Sequence, residues 1–576
     1  METKAKTLLS AAVVAGAAFG AFADFEINLD LGEKPIRDAR TSTCGPLVGY
    51  AGCLARQDEA YWYGTNKVET ARVFREAGAW FLRMWNSNDW FKDRQNWHDP
   101  NSKDPKEQKA YKAFKPTHPE LMFQFWKENG IKVLFTLEAW NDDKEKTAVE
   151  FVKWIVDNGY KDVVAGFEMG NESYFSPDYP NLAPRWKRVI DGIWKVWPKA
   201  PIGVVLCELF ELNPDLTQVR NRMLSSGEIK HDTYFSAGVC NQYTTKFVVA
   251  MSNYMDKVSH VIYHAYGAET PYSCSYYGYQ RFRNYMNAMP ELKGKKMWLS
   301  EIRMRSDEDD WCQRQFREAL IMGHYALTSI CQPDMDGYNQ HEFGSWSGAI
   351  FLSDGKTFAH QWRTGCWDGG YPDHRSPYDK PRLIAGPMGV MYRILTEGIK
   401  DYPLVLQHGT SKETGTEDTF FTSARVTDEV YRRRRAIREG GKPFFGLFGG
   451  VPEVKGEVEW VALADKERKA ICLLMVNSKG KEETVTLRVK DRIFATPTYQ
   501  TVSCPEEFLD CACVPGDAHP WKELSWEDSQ QGGFDAIKMA MYEGIRPKND
   551  VLKIKVGPHT VQSVTVWTDK IPKAKK

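Results

Sequence analysis

The sequence predicts an α/β chain, a (β/α)8 TIM barrel followed by a smaller antiparallel β-sandwich, and three observations carry that prediction. Short apolar runs alternate with helical stretches eight times between residues 45 and 399, the pattern of a closed parallel barrel. Beyond about residue 400 the pattern changes to strands separated by glycines and charged turns, which reads as a sandwich. A chain of 576 residues also exceeds one ordinary core, so at least two domains are expected.

Taken in order, Lys4 and Lys6 precede an apolar run that ends Ala21-Phe22-Ala23, a secretory signal with cleavage before Asp24. Residues 1–23 are therefore expected to be a signal peptide, and the mature chain to be secreted or periplasmic. No other stretch is long and apolar enough to cross a membrane. Residues 25–31 alternate strictly, placing Phe25, Ile27, Leu29 and Leu31 on one face; the segment 24–44 is expected to add this strand to the C-terminal sandwich.

The barrel pattern, 45–399, then runs strand 47–50, helix 67–77, strand 79–85, helix 119–129, strand 131–137, helix 147–158, strand 163–169 and helix 185–196. It continues with strand 202–207, helix 243–256, strand 260–264, helix 276–288, strand 296–300, helix 309–328, strand 336–339 and helix 384–396. Polar, aromatic insertions 86–116, 208–240 and 340–382 follow strands and would rise together on one face as cleft walls. The sandwich, 400–576, takes strands 458–464, 470–476, 483–489, 551–556 and 561–568.

Composition excludes some classes. Lys plus Arg equals Asp plus Glu, 76 against 76, which gives no electrostatic reason for a nucleic-acid or anionic-membrane partner. The basic run Arg432 to Arg435 is flanked by Asp428, Glu429 and Glu439 and reads as a solvated loop. The 20 Trp, 26 Tyr and 29 Phe fit either a large core or aromatic faces that stack on sugar rings. Twelve cysteines follow the signal, and Cys44 with Cys53, and one bridge among Cys504, Cys511 and Cys513, are the expected local disulfides. Cys511-Ala512-Cys513 is too tight for a zinc knuckle, so no metal and no cofactor is expected.

The chemistry is concentrated where two apolar runs end. Phe167-Glu168-Met169-Gly170-Asn171-Glu172 closes the fourth strand, and Trp298-Leu299-Ser300-Glu301 closes the seventh. Strand C-termini are where barrel enzymes keep their reactive groups. Two such carboxylates about 5 Å apart are what glycoside hydrolysis with retention requires, one to protonate the leaving oxygen and one to attack the anomeric carbon. Glu138 and Glu208 also sit at functional-face positions but lack an adjacent Asn.

These motifs resemble the clan A glycoside hydrolases, in particular their beta-xylosidase, arabinofuranosidase and heparanase-like branches, over residues 47 to about 396. The resemblance implies Glu172 as acid/base, Asn171 as ligand of the sugar 2-hydroxyl and Glu301 as nucleophile. Phe81-Leu82-Arg83-Met84-Trp85 is similar to the clan's second strand, implying Arg83 beside the nucleophile. Tyr263-His264-Ala265-Tyr266 is similar to its sixth, implying His264 in the site and a Tyr266 hydroxyl on Glu301. On physical grounds Arg83 and Tyr266 would hold Glu301 ionised, while the charge of Glu301 would keep Glu172 protonated. Glu168 shares parity with Glu172 and is expected to be a buried ion-pair partner.

Trp140 and Trp346 read as sugar platforms or loop packing. Arg303 and Arg305 share parity with Glu301 and either bind a carboxylated or sulfated sugar or are neutralised by Asp307, Glu308, Asp309 and Asp310. The expected function is thus a secreted retaining glycosidase acting on a carbohydrate with an expected β linkage; the alternative is a glycan-binding barrel without turnover.

Overall fold

A computed structural model describes residues 25–41, 48–51, 60–96, 119–173, 179–206, 243–244, 247–266, 283, 286, 289–303, 316–341, 343, 350–353, 357–360, 382–411, 414–415, 458–506, 509, 524–525, 537–547 and 550–571. Eight strands close into a barrel: Val48–Ala51, Phe81–Met84, Lys132–Leu137, Val164–Met169, Ile202–Val205, His260–Tyr266, Lys296–Arg303 and Met335–His341, strands one to eight below. Every pairing is parallel, and strand eight returns to strand one with Tyr338 opposite Val48. The strands carry continuous apolar runs because both faces are covered, the outer by helices and the inner by the barrel's own side chains.

One indole fills much of the lower interior. A Cβ added to Gly166 would lie 2.2 Å from the Trp298 ring, one on Gly203 2.8 Å from it, and one on Gly337 3.0 Å from it. Three strands therefore give up side chains in this layer, at Gly166 to Trp298 alone, at Gly203 to Ile262 and Trp298, and at Gly337 to Phe81 and Trp298; the Trp298 ring also stacks on the His260 ring at 3.7 Å. Gly166→Ala is expected to overpack this layer and destabilise the fold by about 1–3 kcal/mol, measured as a lowered urea midpoint.

Two helices begin earlier than their apolar periodicity indicates. Asp142–Asp157 starts five residues before the expected 147 because the Asn141 side chain accepts from the Lys144 backbone N–H at 2.9 Å and three acidic residues occupy the first turn. Tyr179–Val196 starts six residues before the expected 185 and takes in Pro180 and Pro184. Pro180 falls in the first turn, where the N–H has no intrahelical partner, whereas Pro184 lies inside the helix. Strand seven runs three residues past its expected end, to Arg303. Expected helix 276–288 lies largely outside the described residues, as do most of the three insertions expected to wall the cleft.

The C-terminal part forms two packed sheets. Phe25–Leu29 joins the smaller one beside Glu483–Val489, in parallel rather than antiparallel pairing, with Val551–Val556 completing it. Ile27, Leu487 and Ile554 of this sheet meet Trp460, Leu473 and Val564 of the larger one. The opposite face of the larger sheet presents Val461, Leu463, Leu474 and Val476 to the barrel core cluster, which explains why Val458–Ala464 and Ala470–Asn477 are buried at every position. That face packs against the barrel helices Phe316–Ile330 and Pro387–Asp401. A polar pin crosses this interface: His324 Nδ1 bonds Glu459 Oε2 at 2.8 Å and Thr328 Oγ1 donates to Glu459 Oε1 at 2.9 Å.

Cys331 and Cys472 are buried thiols outside any disulfide. Cys44, Cys53, Cys511 and Cys513 lie outside the described residues, and so does the signal segment. Among the described residues no helix is long and apolar enough to cross a membrane.

Candidate active site

Residues opposite each other in a parallel barrel share a face, so Arg83, Leu134 and Gly166, in register on strands two, three and four, point inward together. Glu168 follows by alternation. The Arg83 guanidinium grips it with a fork, Nε to Oε2 at 2.7 Å and Nη2 to Oε1 at 2.6 Å. The same group donates from Nη1 to Glu301 Oε1 at 2.5 Å and from Nη2 to Asn171 Oδ1 at 2.6 Å. Arg83 and Glu168 are fully buried. Burial raises the Glu168 carboxyl, but Arg83 and His264 outweigh it and hold the group below the usual carboxylate range.

Local backbone irregularity aims the two carboxylates at each other. On strand seven Tyr263 pairs with Leu299 and His264 with Glu301, so Ser300 is an extra residue opposite strand six. The shift between Tyr338–Leu299 and Gln340–Ile302 shows the same bulge from strand eight. With the alternation interrupted, Ser300 contacts His264 and Glu301 also turns inward. On the facing side Gly170 has φ 85° and Glu172 has φ 46°, a left-handed conformation that costs a non-glycine residue about 1–2 kcal/mol. A Cβ on Gly170 would lie 2.1 Å from Ser173 Oγ. This tight loop brings Glu172 to within 4.8 Å of Glu301, measured between carboxylate oxygens, and leaves its side chain partly open at 24% exposure.

His264 bridges the pair. Its Nδ1 lies 3.1 Å from Glu172 Oε1 and 3.4 Å from Glu301 Oε2; Nε2 lies 3.1 Å from Ser300 Oγ and 3.7 Å from Glu168 Oε1. Burial opposes its charge, yet Glu301, Glu168 and Glu172 together push its pKa up to about 10. The ring is therefore an imidazolium at neutral pH. A folded pKa above the ordinary value of about 6.5 means the stabilisation is complete below that pH and is lost as pH rises through about 10. The stability difference between wild type and His264→Gln, read from urea midpoints, is expected to shrink over that interval.

Glu172, His264 and Glu301 also form a cluster of the size that holds a metal ion. Both ring nitrogens of His264 are engaged, Nδ1 with Glu172 and Nε2 with Ser300, so an ion would have to displace one of these contacts. Arg83 and His264 supply the positive charge that an ion would bring.

The remaining residues are placed as follows. Asn171 has its Oδ1 committed to Arg83, which leaves Nδ2 as a donor. Trp140 stands 55% exposed immediately before the helix at the rim of strand three. Tyr266 and Arg303 end strands six and seven opposite each other; their side chains, and all of Arg305 and Trp346, lie outside the described residues. Ser300 and His341 were not anticipated. His341 Nε2 is 3.8 Å from Glu301 Oε2, and its parity with Asn339 and Gly337 on strand eight was the available signal.

A closed parallel barrel with a sandwich packed on its helices and two carboxylates at the strand C-termini defines a glycoside-hydrolase-type fold. No family profile and no curated protein sequence matches the chain. Solved structures do match in fold. The α-L-arabinofuranosidase from Thermotoga maritima in its arabinose complex gives a TM-score of 0.54 at 12% identity, over 94% of this chain and 100% of that one. The thermostable GH51 α-L-arabinofuranosidase from Thermotoga petrophila RKU-1 gives 0.53 at 12% identity with the same coverage. The family 51 α-L-arabinofuranosidase from Bifidobacterium longum gives 0.52 at 10% identity, over 94% and 99%. The resemblance to clan A glycoside hydrolases thus holds as a likeness of fold.

Proposed function

We propose that the chain is a secreted retaining glycosidase that cleaves an oligo- or polysaccharide by double displacement. The observation that carries this reading is the Glu172–Glu301 pair, within 4.8 Å across the barrel rim, close to the spacing retaining enzymes need and too short for an interposed water. Glu301, tied to Arg83, attacks the anomeric carbon while Glu172 gives its proton to the departing glycosidic oxygen. An ester between Glu301 and the sugar results. Glu172 then takes a proton from water as that water attacks the anomeric carbon and releases Glu301. Asn171 Nδ2 donates to the sugar 2-hydroxyl, and Trp140 offers a stacking face where the glycan leaves the cleft.

The proposed substrate class is a glycan with a β linkage, and α-L-arabinofuranosides belong on the same test panel because the fold neighbours are α-L-arabinofuranosidases. Secretion rests on the Lys4 to Ala23 pattern.

Glu172→Gln is expected to lose about 10²- to 10⁴-fold on natural glycans and far less on aryl glycosides with activated leaving groups, which depart without a proton. Steady-state rates on a leaving-group series check this. Equal losses across the series would remove Glu172 from the acid role.

A further inference from the structure

One buried carboxyl takes no part in this scheme. Glu138 directly follows strand three and is 3% exposed. Thr136 stands in register with inward-facing Glu168, so alternation carries Thr136 and then Glu138 to the barrel interior at the C-terminal rim. Its position is fixed by the backbone alone: the Glu138 N–H donates to Asn88 Oδ1 at 2.8 Å and its carbonyl accepts from Asn88 Nδ2 at 3.1 Å. The carboxyl itself has no hydrogen-bond or ion-pair partner among the described residues. A largely buried carboxyl without a protein partner is left to whatever reaches it through its remaining 3% exposure, and a ligand hydroxyl there would complete its hydrogen bonding.

Among the described residues, four charged groups act on it. Asp89 and Lys144, from the two flanking helices, pair with each other; Arg83 and Glu168, from strands two and four, do the same. Neither cation is left over for Glu138.

We infer that Glu138 is a substrate-contacting residue whose carboxylic acid hydrogen-bonds a hydroxyl of the sugar held between Glu172 and Glu301. This deepens the glycosidase reading and rests on it. Arg83 and Glu168 act electrostatically on the Glu138 carboxyl, and the same Arg83 holds Asn171 and Glu301, so register and charge put Glu138 on the rim that carries the two reacting carboxylates. Burial first, then Asp89 and Glu168, pushes its pKa up to about 8 against the pull of Arg83 and Lys144. The group is therefore a neutral donor at pH 7 and becomes an anion beside Glu168 as pH passes about 8.

The test uses the best 4-nitrophenyl glycoside from a panel of pentosides and hexosides, together with its monodeoxy analogues. Glu138→Ala is expected to lower kcat/KM on the parent about tenfold to a hundredfold. Removal of one particular hydroxyl should cost wild type a similar factor and cost Glu138→Ala little more. Glu138→Gln, close in shape to the protonated acid and still a donor, should fold, lose less than the alanine variant, and lack the fall in kcat/KM above about pH 8 that is expected of wild type. Full activity of Glu138→Ala, or an equal deoxy cost at every position in both proteins, would overturn the inference alone. A wild type that turns over no glycoside and forms no ester at Glu301 would overturn it together with the glycosidase reading.

Discussion

Glu301→Gln is expected to lower kcat by about 10⁴-fold or more on every glycoside, activated leaving group or not, because no other described carboxylate can take its place as nucleophile. Glu172 lies within 4.8 Å of Glu301, but it sits on the facing loop with its Oε1 beside His264 Nδ1. The amide keeps the shape and can still accept from Arg83 Nη1, so the fold should survive. Its loss is in chemistry: an amide is too weak a nucleophile, and it no longer balances the Arg83 and His264 charges. Rates across the leaving-group series separate this variant from Glu172→Gln, whose defect shrinks as the leaving group improves.

Arg83→Met is expected to damage stability and activity together. The guanidinium is 1% exposed and is the main counter-charge for Glu168, which is 0% exposed. Removing one partner of such a buried pair costs about 3–5 kcal/mol, since the other charge remains in the interior. His264, 3.7 Å from Glu168, offsets only part of this. Asn171 and Glu301 lose their common anchor at the same time, so kcat should fall even under conditions where the variant remains folded. Arg83→Lys would keep the charge but not the fork that reaches three partners, and should recover stability more than rate. Urea midpoints and kcat on the folded fraction check both statements.

The parts of this arrangement that were legible in the sequence are those that depend on one strand at a time. Apolar runs ending in Asn171-Glu172 and in Glu301 marked strand C-termini, the parity of Glu168 with Glu172 turned Glu168 inward, and the likeness of Phe81 to Trp85 to a clan A second strand put Arg83 beside the nucleophile. What could not be read depends on register between strands that are distant in the chain. The bulge at Ser300 is visible only as a mismatch between strand seven and both its neighbours, and it is what lets Ser300 and Glu301 face the same interior. The left-handed Glu172 and the three glycines in the layer of the Trp298 ring are likewise set by tertiary packing. Helix starts were misjudged where caps and first-turn charges, rather than apolar periodicity, set the boundary, as at Asn141.

Charge compensation is the organising feature of the site. Arg83 and His264 face Glu168, Glu172 and Glu301, with one more carboxylate than cation, and a retaining glycosidase needs one carboxyl to carry a proton while another is ionised.

The central claim, attack by Glu301 on the anomeric carbon, is tested most directly by trapping the ester. Incubation with a 2-deoxy-2-fluoro glycoside bearing an activated leaving group should raise the intact mass by one fluoroglycosyl unit, and peptide mapping should place that mass on Glu301. Turnover with inversion at the anomeric carbon and no ester, or an ester on Glu172 or Glu138 instead, would contradict it.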